Sequence, residues 1–190
     1  MRRRLLAVPM MLLLLLCACS GGETNDLHVP MEFRAALLAA DSVDFTAEMR
    51  LDVQGRLYDL TLDCVFSADG VTELTVRKPA SLEGVRAKIS GSSGLLSFDG
   101  MAVDFGLLAE QELAPITLPA RMVESWRSAY ILAAGQEDGL LRVTYVDDES
   151  DTELEIDTWF DGDTPIYTEI SLNGSVAAEL RLTDVALNGG

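Results

Sequence analysis

From Ser42 to Val53 the apolar residues Val43, Phe45, Ala47, Met49, Leu51 and Val53 alternate with Asp44, Thr46, Glu48, Arg50 and Asp52. A period of two is the mark of a half-buried strand, because successive side chains point to opposite sheet faces. Gln54-Gly55 turns the chain, and the alternation resumes over residues 56–67 through Tyr58, Leu60, Leu62, Cys64 and Phe66. Asp69-Gly70 is a hairpin signal. Residues 71–77 continue with Leu74 and Val76 until Pro79 stops them. Val85, Ala87 and Ile89 alternate with Arg86 and Lys88, and glycine-bearing turns at 91–94 and 99–100 delimit strands over 95–98 and 101–105. The period then changes. Over residues 118–134, Leu118, Met122, Trp126 and Tyr130 recur every four residues, which predicts a helix closed by Gly135. Strands are predicted again over 140–146, 152–160, 166–172 and 175–187. A short helix over 31–40, with Phe33, Leu37 and Leu38 on one side, precedes the first strand.

Every predicted strand alternates, so one face of the sheet is buried and the other wet. Two short helices cannot cover such a sheet laid flat, and it must curl around them. The fold class is mostly β (α+β): a curved antiparallel half-barrel of about 10–11 strands, with a short N-terminal helix and a helical lid over an apolar cavity. The inward candidates are Phe45, Met49, Leu62, Phe66, Leu74, Val76, Leu96, Phe98, Met122, Trp126 and Trp159. Singly each reads as packed core. Together, methionines and aromatics over a long sheet with few helices read as an adaptable lining for an acyl chain.

The first residues follow another logic. Arg2, Arg3 and Arg4 precede an apolar run from Leu5 to Leu16. A membrane-spanning helix needs about 20 apolar residues, so this shorter run reads as the core of a signal peptide. Leu16-Cys17-Ala18-Cys19 resembles the bacterial lipobox. The resemblance implies a diacylglycerol thioether on Cys19 and cleavage after Ala18. The expected organisation is a signal peptide over 1–18, a small polar tether over 19–30 that contains His28, and one domain over 31–190. The expected location is the extracytoplasmic face of a cell membrane, or of an outer membrane if the cell has one, held by the anchor.

Charge and composition narrow the function. The chain has 14 Lys+Arg against 31 Asp+Glu, a net charge of −17. Losing the three leader arginines takes it to −20, which argues against nucleic acid as a partner. It also makes the anchor, not the protein surface, the source of membrane attachment. His28 is the sole histidine, so a Ser-His-Asp triad is not expected from the domain, and no nucleotide-binding or zinc-protease motif occurs. Asp147–Asp151 and Asp161-Gly162-Asp163 offer oxygen atoms but not a calcium-loop pattern. Neither an enzyme, a cofactor nor a metal is expected. Cys64 lies at an inward strand position and reads as a buried structural thiol.

Four stretches carry a likeness to a known family: the leading helix running into Ser42-Val43-Asp44-Phe45, the strand Leu74-Thr75-Val76-Arg77-Lys78-Pro79, the hairpin Gly94 to Gly100, and the helix from Pro119 to Leu132. In this order they resemble the LolA/LolB-like lipoprotein-carrier fold, a half-open antiparallel barrel with a helical lid over a hydrophobic cavity. The resemblance implies a membrane-anchored lipoprotein that binds or carries a lipid or an acylated ligand in the cell envelope. The alternative is an envelope sensor or assembly domain that binds a protein partner and has a filled core.

Overall fold

The computed structural model describes residues 26–53, 56–90, 93–104, 117–146 and 154–189. The leader, Cys19, most of the tether and the 147–151 turn lie outside them. Eleven strands follow one another: β1 (Ser42–Val53), β2 (Arg56–Ser67), β3 (Val71–Lys78), β4 (Arg86–Ser90), β5 (Ser93–Phe98), β6 (Met101–Asp104), β7 (Tyr130–Glu137), β8 (Leu140–Val146), β9 (Leu154–Asp161), β10 (Thr164–Leu172) and β11 (Ser175–Asn188). They form one antiparallel sheet in the order β6-β5-β4-β3-β2-β1-β11-β10-β9-β8-β7. Two meanders are therefore joined in the middle by pairing of β1 with β11, and β6 and β7 are the outermost strands among the described residues. The result is the curved, unclosed half-barrel that the alternation predicts. A register shift between Asp44 and Thr46 on β1, and others on β2, β7 and β10, supply the local bends that curling requires.

Two helices lie on the inner face: α1 (His28–Ala39) and α2 (Leu118–Ser128). Both differ from the sequence reading at one end. α1 starts at His28, not Met31, because Pro30 is tolerated in a first helical turn, where its missing N–H is not needed. His28 thus belongs to the helix, exposed and 3.2 Å from Glu32, rather than to the tether. α2 stops at Ser128, not near Ala134. Ala129 is extended, its N–H donates to Ser125 O, and Tyr130–Glu137 runs as an edge strand on β8. The apolar run Tyr130 to Ala134 fits either period, and β8 decides the matter by bonding its backbone.

The registers define two rims. The first carries the turns over 79–85, 99–100 and 173–174, and the start of β7. The second carries Asp69-Gly70, Asp138-Gly139 and Gly162-Asp163, together with the start of β1. Gly70 has a φ of 83°, the left-handed conformation that a glycine adopts without cost. The carboxyl end of α1 is pinned at the second rim: Asp41 N–H donates to Asn188 O, and Asp41 O accepts from Ala68 N–H, both at 2.8 Å.

Candidate functional site: the concave face

Phe45 and Met49 on β1, Leu62 and Phe66 on β2, Val76 on β3, and Met122 and Trp126 on α2 are brought together in one buried cluster. Phe45 stacks on Phe66 at 5.4 Å and meets Trp126 at 6.3 Å. Phe33 of α1 sets its edge against Trp126 at 5.4 Å and against Phe160 at 5.3 Å. Met122 and Trp126 are each 0% exposed. The space under the lid is thus occupied by these side chains. Alternation shows which residues point inward, but the volume left between them depends on how closely α1 and α2 approach the sheet.

Two of the expected lining residues stand elsewhere. Phe98 is 45% exposed, at the tip of the β5–β6 hairpin beside Met101, which is 67% exposed. It keeps the inward phase of Leu96, but the hairpin extends past the cover of the helices. Trp159 lies on the outer face, because the inner positions of β9 are Leu154, Ile156, Thr158 and Phe160. There it packs on Tyr167 at 5.1 Å, lies under the Arg142 guanidinium at 5.1 Å, and donates to Glu137. Such aromatic–guanidinium contacts are attractive through the ring quadrupole, even on an exposed face.

Three polar features under or beside the lid were not read from the sequence. Trp126 Nε1–H donates to Thr158 Oγ1 at 2.9 Å, and Thr158 shares a hydroxyl bond with Thr168 at 3.2 Å, all inside the core. Thr158 has the inward phase of Ile156 and Phe160, which is the signal that could have found it. Arg34 ties the helices together. Its Nε–H donates to Trp126 O and its Nη2–H to Ala129 O, both at 2.7 Å, with Ser125 O at 3.4 Å. A cation on the last carbonyls of α2 is favourably placed against the helix dipole. The same guanidinium lies 5.8 Å from the ring of Tyr145, whose buried hydroxyl has no hydrogen-bond partner among the described residues. Burial pushes the Tyr145 hydroxyl well above its usual range, with Arg34 opposing.

Beneath Phe66 and Leu62, the Cys64 thiol is buried, and that burial, followed by the charge of Asp63, holds it far above the usual thiol range. A thiol so disposed is neither nucleophile nor ligand at neutral pH. Among the described residues no cluster of three or more His, Cys, Asp or Glu could hold a metal ion, and no helix is long and apolar enough to cross a membrane. Among the described residues there are hollows open to solvent. One, of about 370 Å³, lies where β1, β2, β10 and β11 meet and mixes Glu48, Glu179, Arg50 and Arg181. Another, of about 400 Å³, lies at the first rim between Arg86, Phe98 and Met101.

No family model matches the chain. No curated protein resembles it significantly in sequence. Among solved structures the chain is similar to an uncharacterised conserved protein of Thermus thermophilus, 11% identical with a TM-score of 0.48 over 84% of this chain and 88% of that one. It is similar to a LolA superfamily protein of Nitrosomonas europaea, 11% identical with a TM-score of 0.43 over 90% and 96%. It is similar also to the lipoprotein LppX of Mycobacterium tuberculosis, 15% identical with a TM-score of 0.43 over 87% and 100%. The described residues of this chain form an open antiparallel sheet curled around two helices, the arrangement expected from the alternation.

Proposed function

We propose that the chain is a cell-envelope lipoprotein, anchored through a diacylglycerol thioether on Cys19, whose concave face binds an acyl chain or an acylated ligand. One observation carries the reading. The inner face is apolar without interruption from Leu74 and Ala87 in the core, through half-buried Leu96, to Phe98 and Met101 in the open. An apolar ligand that meets the hairpin tip has a continuous greasy path under the lid. Along it Met49, Met122 and the neighbouring aromatics can adjust their rotamers around a flexible chain. The work of binding is non-catalytic: apolar surface leaves water, at roughly 25 cal/mol per Å².

A second reading rests on an equally specific observation. Phe45, Met49, Leu62, Met122 and Trp126 are buried within one core cluster, as in a domain that binds a protein partner by its surface and keeps its core filled. Lipid mass spectrometry of the full-length protein, extracted from its own host, separates the two. A stoichiometric acyl species that is not the Cys19 anchor supports the first reading. Its absence, together with Trp126 fluorescence that does not respond to long-chain fatty acids, supports the second. The anchor is tested apart from either. Cys19→Ser is expected to abolish labelling by a fatty-acid probe and to release the protein from the membrane fraction.

A further inference from the structure

The exposed large apolar side chains are unevenly distributed between the two rims. On the β2–β6 arm the first rim carries Leu57, Phe98 and Met101, each 45–67% exposed. Three turns of the second rim, Asp69-Gly70, Asp138-Gly139 and Asp161-Gly162-Asp163, carry acids, and Gly91-Ser92 does not; at the first rim the acidic stretch Asp147–Asp151 belongs to the other arm, between β8 and β9. This arm of the first rim also has cations without an acidic partner among the described residues. Lys78, at the end of β3, and Arg86, at the start of β4, make no ion pair among the described residues, whereas Arg77 is held by Asp63 and Lys88 by Glu73. Lys78 and Arg86 offset Glu83 and Asp99, so this part of the surface is nearly neutral in a chain of net charge −17.

The direction of α1 adds an independent constraint. Its carboxyl end is fixed at the second rim through Asp41. Further back, Arg34 bonds to Ala129, the residue before β7, and β7 begins at the first rim, where Tyr130 pairs with Val146. The helix therefore points its amino end toward the first rim, and the chain leaves the domain there. Leu27 and Met31, 42% and 53% exposed, lie on that last stretch. From Cys19 to Leu27 even a fully extended chain spans no more than roughly 30 Å. A lipid anchored at Cys19 thus keeps Leu27, and the part of the first rim nearest it, within that distance of the bilayer.

We infer that the first rim of the β2–β6 arm is a membrane-contact surface, with Phe98 and Met101 in the interfacial zone of a phospholipid bilayer and Lys78 and Arg86 against its phosphates. The inference rests on the anchored, acyl-binding reading and deepens it: the exposed end of the apolar path would face the lipid from which a ligand comes. Aromatic and thioether side chains gain by leaving water for the acyl boundary, and each nearby cation adds attraction to an anionic surface.

The test uses the full-length lipidated protein in phosphatidylcholine vesicles that contain some phosphatidylglycerol and a nitroxide-labelled acyl chain. Single variants Phe98→Cys, Met101→Cys and Asp163→Cys are labelled with an environment-sensitive fluorophore, with Cys64 protected by its burial. Flotation with the vesicles reports the anchor, and quenching reports the contact. The expected result is flotation of all three, with quenching at 98 and 101 several-fold stronger than at 163. Arg86→Glu should weaken quenching at 101 and leave flotation unchanged. Flotation with equal quenching at all three positions overturns the inference while sparing the anchor. Failure to float overturns the anchor and the contact that depends on it. Labels at 98 and 101 that resist both the lipid nitroxide and aqueous iodide would show a second copy or another protein covering the rim, and would also overturn it.

Discussion

Phe45 and Phe98, and likewise Met49 and Met101, are the same residue types on the same face of one sheet, with opposite fates. Phe45 is 3% exposed and Phe98 45%; Met49 is 2% exposed and Met101 67%. What differs is the cover. Phe45 and Met49 sit on β1, the middle of the sheet, where α1 and α2 cross above. Phe98 and Met101 close the hairpin of the outermost strand β6, beyond either helix. Phase along a strand assigns a side chain to a face, and the second layer decides whether that face is dry. A protein that binds apolar ligands needs both conditions on one surface: a dry part to hold the ligand and a wet, greasy part to receive it.

The largest expected effect tests the dry part. Trp126→Ala removes a fully buried indole, its aromatic partners Phe33 and Phe45, and the donor to Thr158. It should cost about 3–5 kcal/mol of folding stability. Phe45→Ala and Leu62→Ala should each cost about 2–5 kcal/mol, because both are packed on every side. Denaturant midpoints on the three variants check this. Midpoints near wild type would mean that the lid leaves room around these residues, and the contrast with the rim would collapse.

Arg34 is the next lever, since it holds the cover in place. In Arg34→Met the carbonyls of Trp126 and Ala129 lose charged donors in a partly buried site, at an expected cost of about 1.5–3 kcal/mol. Arg34→Lys should recover only part of that loss, because an ammonium cannot reproduce the fork that reaches both oxygens. If the lid also gates the acyl path, hydrophobic-probe binding per folded molecule should rise in Arg34→Met, a change that a titration at low denaturant would detect.

Much of this was legible beforehand, and the reasons are local. β1 and β2 follow from strict alternation over residues 42–53 and 56–67, bounded by turn residues, and the structure gives the same limits. The sheet's openness followed from having too little helix to cover it. The misreadings arose where a neighbour, not the segment, makes the decision. Residues 130–134 are apolar at every position, so neither period is imposed, and pairing with β8 turned the last turn of the expected helix into an edge strand. Trp159 is a different case: the strand's own phase puts Thr158 inward and the tryptophan outward. The bond from Arg34 to α2 joins residues more than ninety positions apart and leaves no sequence signal.

A smaller effect of opposite sign is expected at Tyr145. Its hydroxyl is buried against the Arg34 side of α1 without a partner among the described residues, so the folded state carries an unsatisfied polar group. Tyr145→Phe removes the group and keeps the ring. Stability should be unchanged or raised by up to about 1 kcal/mol. A loss of more than that would reveal a partner for the hydroxyl and make the lid more polar than the comparison assumes. Alkaline titration gives a second check. Burial raises the folded-state pKa of Tyr145, so the neutral hydroxyl is favoured in the fold. Its contribution is therefore complete below the unfolded tyrosine pKa and is lost as pH rises above it. Tyr145→Phe should flatten that alkaline decline.

The smallest expected effect on stability is also the sharpest test of the wet part. Phe98→Ala and Met101→Ala remove side chains already about half or more in water, so each should change the denaturant midpoint by no more than about 0.5 kcal/mol. Their consequence should appear in binding. If apolar ligands arrive by way of the hairpin tip, both variants should slow the uptake of a fluorescent fatty acid. The equilibrium affinity should change less, because the dry part that holds the chain is untouched. A stopped-flow association rate paired with an equilibrium titration separates the two. Stability losses equal to that of Phe45→Ala would show that the tip is covered after all. Wild-type uptake rates in both variants would show that the exposed aromatic and thioether are not on the ligand's route, and that the lid opens elsewhere.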